Sequence, residues 1–226
     1  MSLPKIVNKD WHELNIWSDI DNIREKLSTV SFVPEASDIF RGFSISPKSI
    51  RVVIVGLAPY NTVLADGRAL ATGIPFDVPK GYDRPSLEII RECLWNDYND
   101  IRSECTRISD WLDQGVFLLN KSLTCTPFGE ARSHMHIWNT FTESVIVELD
   151  RLFNSIVFVF LGKDAQELNK HVSARNYILN YCHPAATVYA KQRGNVPAHL
   201  DFTKSEMFKS IDEITYNIDQ TTIKWF

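Results

Sequence analysis

The residues of this chain that could do chemistry stand where short apolar runs stop. RVVIVG (51–56) closes on Gly56, GVFLLN (115–120) on Asn120, SIVFVFLG (155–162) on Gly162, and NYILNYCHP (176–184) on Cys182, His183 and Pro184. A primary amide offers a hydrogen-bond donor and acceptor side by side. An imidazole near neutrality can donate, accept or move a proton. Read singly, Asn120 is also a common turn former after a strand, and His183 a cap or core histidine. The four cysteines, Cys93, Cys105, Cys125 and Cys182, form no C-x-x-C pair, and their gaps suit neither zinc nor an iron–sulfur cluster. They read as free buried thiols of a reducing compartment.

The elements that position these residues follow from periodicity. The four β-branched or aromatic runs read as strands buried on both faces. PSLEIIRECLWNDY (85–98), with Pro at its start, HIWNTFTESVIVELDRLF (136–153) and KDAQELNKHV (163–172) read as helices between them. Residues 9–43 also read as helical, with DIDNIREKLSTV the clearest amphipathic piece, starting at an Asp cap. Strands alternating with helices predict an α/β fold: a three-layer α/β/α domain on a central four-stranded parallel sheet with right-handed crossovers. Ligands of such sheets bind beyond the carboxyl ends of the strands. Those ends are GLAPYN, LLNKSLT, FLGK and CHPAAT.

Composition bounds the rest. The chain of 226 residues has no repeat, low-complexity tract or linker, so a single domain over 1–226 is expected, with 1–50 a helical N-terminal extension. A net charge of −4 argues against indiscriminate coating of nucleic acid and leaves room for a local basic groove. The start has no basic segment followed by an apolar run, and the longest apolar stretches are strand-sized. A soluble, non-secreted protein is expected, cytoplasmic or, in a eukaryote, nuclear.

The pieces VVIVGLAPYN, ATGIPF, RPSLEII, GVFLLNKSLT, ARSHMHIWNTFTESVI, VFVFLG and CHPAATVYA occur in one order and spacing. Together they resemble the motifs of the uracil-DNA glycosylase superfamily: GQDPYH, HGLAFS, PPSL, GVLLLN-x-x-LT, the SH…W…FT helix start, LLWG and HPSPLS. The resemblance covers about residues 51–190, and TIKW near the end is similar to the family's terminal DW. It implies an enzyme that flips a base from the DNA stack and grips it from several sides. By that resemblance Phe76 stacks on the base, Asn120 reads its edge, and Tyr60 sits against C5 and excludes a methyl group. Leu57 and Ala58 complete the loop around the base. His183 would donate as a neutral imidazole to the departing base. Ser86 matches a phosphate-contacting serine, with a helix-cap role as the structural alternative.

The chain departs from the family at several of these positions. GLAPYN replaces GQDPYH, so the motif's carboxylate position holds Ala58, its glutamine position Leu57 and its terminal histidine position Asn61. GLAP is similar to another branch of the superfamily, which carries an Asp just after the stacking Phe. On that likeness Asp77 is the first candidate for the replacement acid, with Asn61 as a water-orienting amide and Asp66 as an outside choice. In the HPSPLS-like segment, expected as a loop after the fourth strand, Thr187 or Val188 would fill the vacated stack, and Lys191 and Arg193 would hold phosphates.

The expectation is a monofunctional glycosylase without metal or cofactor, acting on DNA, monomeric and not membrane-bound. No lysine stands in a matching motif where a Schiff base would form. Uracil is the default base. A modified pyrimidine of invading viral DNA is the alternative substrate, and a non-catalytic DNA-binding or replication module the alternative of another class, resting on Ala58.

Overall fold

The computed structural model of the chain describes residues 3–99 and 107–226; Cys105 lies outside them. Four strands, β1 (Val52–Gly56), β2 (Val116–Asn120), β3 (Val157–Leu161) and β4 (Tyr177–Tyr181), form one parallel sheet in the order β2-β1-β3-β4. The expected α/β fold with a four-stranded parallel sheet is observed. Every residue of β1, β2 and β3 is buried, as strands covered on both faces must be. Alternate residues feed two cores. Val53, Val55, Phe117, Leu119, Phe158 and Phe160 face the N-terminal segment and helix α3 (Met135–Leu152). Val52, Ile54, Val116, Leu118, Val157 and Val159 face helices α2 (Pro85–Tyr98) and α6 (Met207–Asp219). β2 and β4 are the edge strands; β4 is the less covered of the two, and Tyr177 and Ile178 on it are exposed.

Two expectations fail here. The segment 9–43 contains one α-helix, α1 (Ile20–Ser28), and otherwise short 3-10 turns at Lys9–Glu13 and Arg41–Ser44. Asp19 stands at the N-cap of α1, yet its side chain makes no capping bond. What organises the segment is an aromatic cluster. Trp11 packs on Phe43 at 4.8 Å and on Phe117 of β2 at 5.1 Å, and Trp17 meets Phe141 of α3 at 5.4 Å. The segment is therefore part of the core. Second, CHPAAT does not remain a loop: the chain enters helix α5 (Pro184–Gln192) directly at Pro184. Proline is preorganised for the first helical position and Ala185 and Ala186 are the strongest helix formers, so nothing delays the helix. The stretch after β3 is a single α-turn, α4 (Lys163–Gln166), continuing as 3-10 helix to His171. Among the described residues no helix is long and apolar enough to cross a membrane.

Candidate active site

Because the sheet is parallel, all four strands deliver their carboxyl ends to one edge. There a cleft of about 1170 Å³ opens, lined among others by Leu57, Ala58, Tyr60, Asn61, Phe76, Asp77, Ser86, Asn120 and His183. These come from five separate stretches of sequence, and the topology gathers them.

The register pairs Gly56 with Asn120. Beyond it the two exits stay zipped, Lys121 N–H donating to the Gly56 carbonyl at 3.0 Å and Ser122 N–H to that of Leu57 at 2.9 Å. The exit of β2 is braced from α3. The Trp138 indole donates to Thr124 Oγ1 at 2.7 Å, and the Thr142 hydroxyl to the Lys121 carbonyl at 3.1 Å. His134 stands between Thr124 (Nδ1, 3.0 Å) and Thr126 (Nε2, 3.2 Å). The SH…W…FT stretch is thus scaffolding for the strand end that carries Asn120. Asn120 itself is 7% exposed, and its amide takes no hydrogen bond among the described residues. The amide opens into the cleft with its donor and acceptor unspent.

Phe76 sits with φ at 64°, an uncommon backbone conformation for a bulky residue. Its ring and the Asn120 amide meet over Gly56. A Cβ there would stand 2.7 Å from Asn120 Oδ1 and 2.9 Å from Phe76 Cζ, so only glycine fits. The turn bearing Phe76 is held from behind. Thr72 donates to Asp77 Oδ2 at 2.8 Å across the turn, and Gly73, with φ at 83°, packs against the Asp38 carbonyl. Residues 3–50 thus support the site as well as the core.

Asp77 is consequently turned inward. Its side chain is 4% exposed, bonded to Thr72 and 4.0 Å from Arg107. Burial raises its pKa above the usual carboxylate range. Asp66 is exposed beside Arg68, away from the cleft lining. The Tyr60 hydroxyl lies 3.5 Å from the Phe76 carbonyl, and the Arg84 guanidinium carbon is 5.9 Å from the Tyr60 ring centre, fixing that ring as a wall. Asn61 donates through Nδ2 to the Gly129 carbonyl at 2.6 Å, leaving Oδ1 without a partner among the described residues.

His183 stands 5.8 Å from Phe76, ring centre to ring centre. Its Nδ1 accepts the Ala185 backbone N–H at 3.1 Å, capping α5. Nδ1 is thereby committed as an acceptor, so in the neutral ring the proton resides on Nε2. Desolvation lowers its pKa to about 4, against a weaker opposing effect of Asp164.

The structure corrects the segment after His183. Thr187 is 0% exposed; its hydroxyl donates to the Leu200 carbonyl at 2.6 Å and accepts the Phe202 N–H at 2.9 Å, so it cannot enter a base stack. Val188 packs on the core beside α2. The exposed residue of this helix on the cleft is Tyr189, at 62%. Lys191 is engaged with Glu92 at 2.7 Å, whereas Arg193 makes no ion pair among the described residues. Ser86 is the second residue of α2 and not its cap; Arg84 occupies that position. Sequence reasoning missed Lys163 at the exit of β3, the Arg132–Asp164 pair at 2.7 Å, and Tyr189, all lining the cleft. The FLGK strand end was the available signal for Lys163.

Comparison with known proteins gives the family and the fold. The model of the Uracil DNA glycosylase superfamily matches residues 43–210. A protein of Mycoplasmopsis pulmonis named uracil-DNA glycosylase is 31% identical over 93% of this chain and 88% of its own length. One of the same name from Desulfitobacterium hafniense is 29% identical over 98% and 97%. In fold, the chain is similar to the crystal structure of mimivirus uracil-DNA glycosylase, with a TM-score of 0.85 at 24% identity, covering 100% of this chain and 89% of that one.

Proposed function

The chain belongs to the uracil-DNA glycosylase superfamily, and on that premise we propose that it flips uracil out of DNA and hydrolyses its N-glycosidic bond, leaving an abasic site. The observation that carries the reading is the pair of unspent hydrogen-bonding groups around Phe76: the unpartnered, 7% exposed Asn120 amide and His183 Nε2. The base stacks on Phe76, the amide pairs with its edge, and Nε2–H donates to a carbonyl oxygen of the base. As the bond from C1′ to the base breaks, its electron pair leaves with the base, and that hydrogen bond strengthens with the growing charge. Water then adds to C1′ and loses its proton to solvent, its approach oriented by Asn61 Oδ1. Asp77 acts as a positioning residue, tying the Phe76 turn to Thr72. The fixed Tyr60 wall supports a base bare at C5 over a bulky modified pyrimidine. Tyr189 takes the wedge role that buried Thr187 cannot, an aromatic plug for the space the base vacates. Ser86, Lys163 and Arg193 are the phosphate contacts of this reading.

The test is incubation with uracil-containing DNA followed by hot alkali, which breaks the strand at abasic sites. Breaks confined to uracil positions are expected. Binding of abasic DNA with no break at uracil, at enzyme in excess over DNA, would put the non-catalytic module in its place.

A companion expectation concerns Gly56. Gly56→Ala pushes the Phe76 ring and the Asn120 amide off the ground they share. Misplacement of this size at a reacting centre costs about a hundredfold in rate. Overpacking costs stability only about 1–3 kcal/mol. Single-turnover uracil release and a melting curve on the same sample separate the two effects.

A further inference from the structure

Among the described residues, the two most exposed large hydrophobic side chains are Phe128, at 72%, and Tyr189. Phe128 adjoins Gly129, Glu130, Ala131 and Arg132, which line the cleft. Its φ is 57°, so of all the described phenylalanines only Phe76 and Phe128 hold left-handed backbone. A phenylalanine there carries steric strain, and its exposure recovers none of that by burial.

The loop is nonetheless pinned. Phe128 N–H donates to the Asn61 carbonyl at 2.7 Å, Asn61 Nδ2 to the Gly129 carbonyl at 2.6 Å, and Gly129 N–H to the Thr126 carbonyl at 3.0 Å. The Thr126 N–H is taken by Ser133 Oγ at 2.9 Å. The base-side loop of β1 therefore fixes where this ring points. The exposed ring adds little burial to the fold, while a flat apolar face is held at the rim of the cleft.

We propose that Phe128 is a second stacking surface, receiving the base of a nucleotide adjacent to the flipped one on the same strand. The inference rests on the DNA reading of the cleft. A neighbouring base in a duplex is already stacked and paired, whereas in a single strand its face is free for an aromatic ring. Phe128 is then a specificity residue, favouring single-stranded over duplex substrate.

The variant is Phe128→Asn, because asparagine tolerates left-handed backbone. The probe is abasic DNA, single-stranded or duplex, with fluorescent aminopurine beside the abasic position on either flank. We expect wild type to quench the probe on one flank of the single strand and Phe128→Asn to lose that quenching. The dissociation constant for single-stranded DNA should rise about tenfold, as loss of one base–aromatic stack implies, and that for duplex should hold. The melting temperature should rise by about 2 °C as strain is released. Unchanged quenching and affinity, or equal losses on both forms of DNA, would overturn the proposal. So would a fall in melting temperature that accounts for the lost binding. Because binding is read on DNA already lacking its base, the outcome is independent of catalysis. Quenching without uracil release overturns the glycosylase reading alone, and uracil release that Phe128→Asn leaves intact, with quenching retained, overturns this one alone.

Discussion

His183→Ala is expected to slow uracil release about a hundredfold or more, the usual cost of losing a preorganised donor to developing negative charge. The direction of donation follows from the fold. The Ala185 N–H already occupies Nδ1 at 3.1 Å, so the neutral ring has one hydrogen to give and gives it from Nε2. Protonating the ring would set an Nδ1–H against that N–H at the N-terminus of α5, where positive charge is disfavoured. Burial, only partly offset by the charge of Asp164, lowers its pKa from 6.5 to about 4. The sign for stability follows: the unfolded chain binds this proton more readily than the folded one. The contribution is whole above about 6.5 and drains away as pH falls toward about 4. Release should accordingly show no inflection near 6.5 attributable to His183, and His183→Ala should remove the stability loss between those values. The measurements are single-turnover rates and melting temperatures across that range. A wild-type rate in His183→Ala would remove the leaving-group role. Affinity for abasic DNA should change far less, since no departing base is present.

What the sequence made legible, and what it did not, divides along a physical line. Strands buried on both faces must be apolar throughout, so β1, β2 and β3 stand out as unbroken runs and their ends locate Gly56, Asn120 and Gly162. Side-chain direction was not legible. The neighbour relation between Phe76 and Asp77 suggests a carboxylate beside the stacking ring. The left-handed turn at Phe76 instead sends Asp77 inward to Thr72, and nothing in the residue type announces a positive φ. In a loop, Thr187 would be available to the stack. On a helix starting at Pro184 it falls on the inner face, and Tyr189 falls outside. The segment 9–43 was read by periodicity, yet Trp11, Trp17, Phe40 and Phe43 answer to partners on β2 and α3 rather than to a helical repeat.

Restoring the lost acid should have the largest effect of all, and in the opposite direction: Ala58→Asp is expected to raise the rate of uracil release by about 10²–10⁴, the range of general-base assistance. Position 58 lies two residues past Gly56, on the cleft lining, between Leu57 and the Pro59–Asn61 turn. It is half-buried, so a carboxylate there keeps enough water to stay ionised. Such a charge offsets the cationic sugar and takes the proton from water that Asn61 Oδ1 can only orient. Asp77 cannot substitute from its inward pose. Burial raises its pKa and Thr72 holds its oxygen, so Asp77→Asn should cost only a few-fold in rate, with a lower melting temperature as the Phe76 turn loosens. The comparison is single-turnover kinetics of wild type, Ala58→Asp, Asp77→Asn and the double variant on one uracil oligonucleotide. If Asp77 is purely structural, the gain from Ala58→Asp survives in the double variant. If Asp77→Asn alone abolishes release while the fold and abasic-site binding persist, Asp77 is the acid after all and the inward pose opens on binding DNA. If Ala58→Asp binds DNA, melts normally and gains nothing, water does not reach C1′ from the side of β1, and the loop 57–61 has taken on a different task from the motif it resembles.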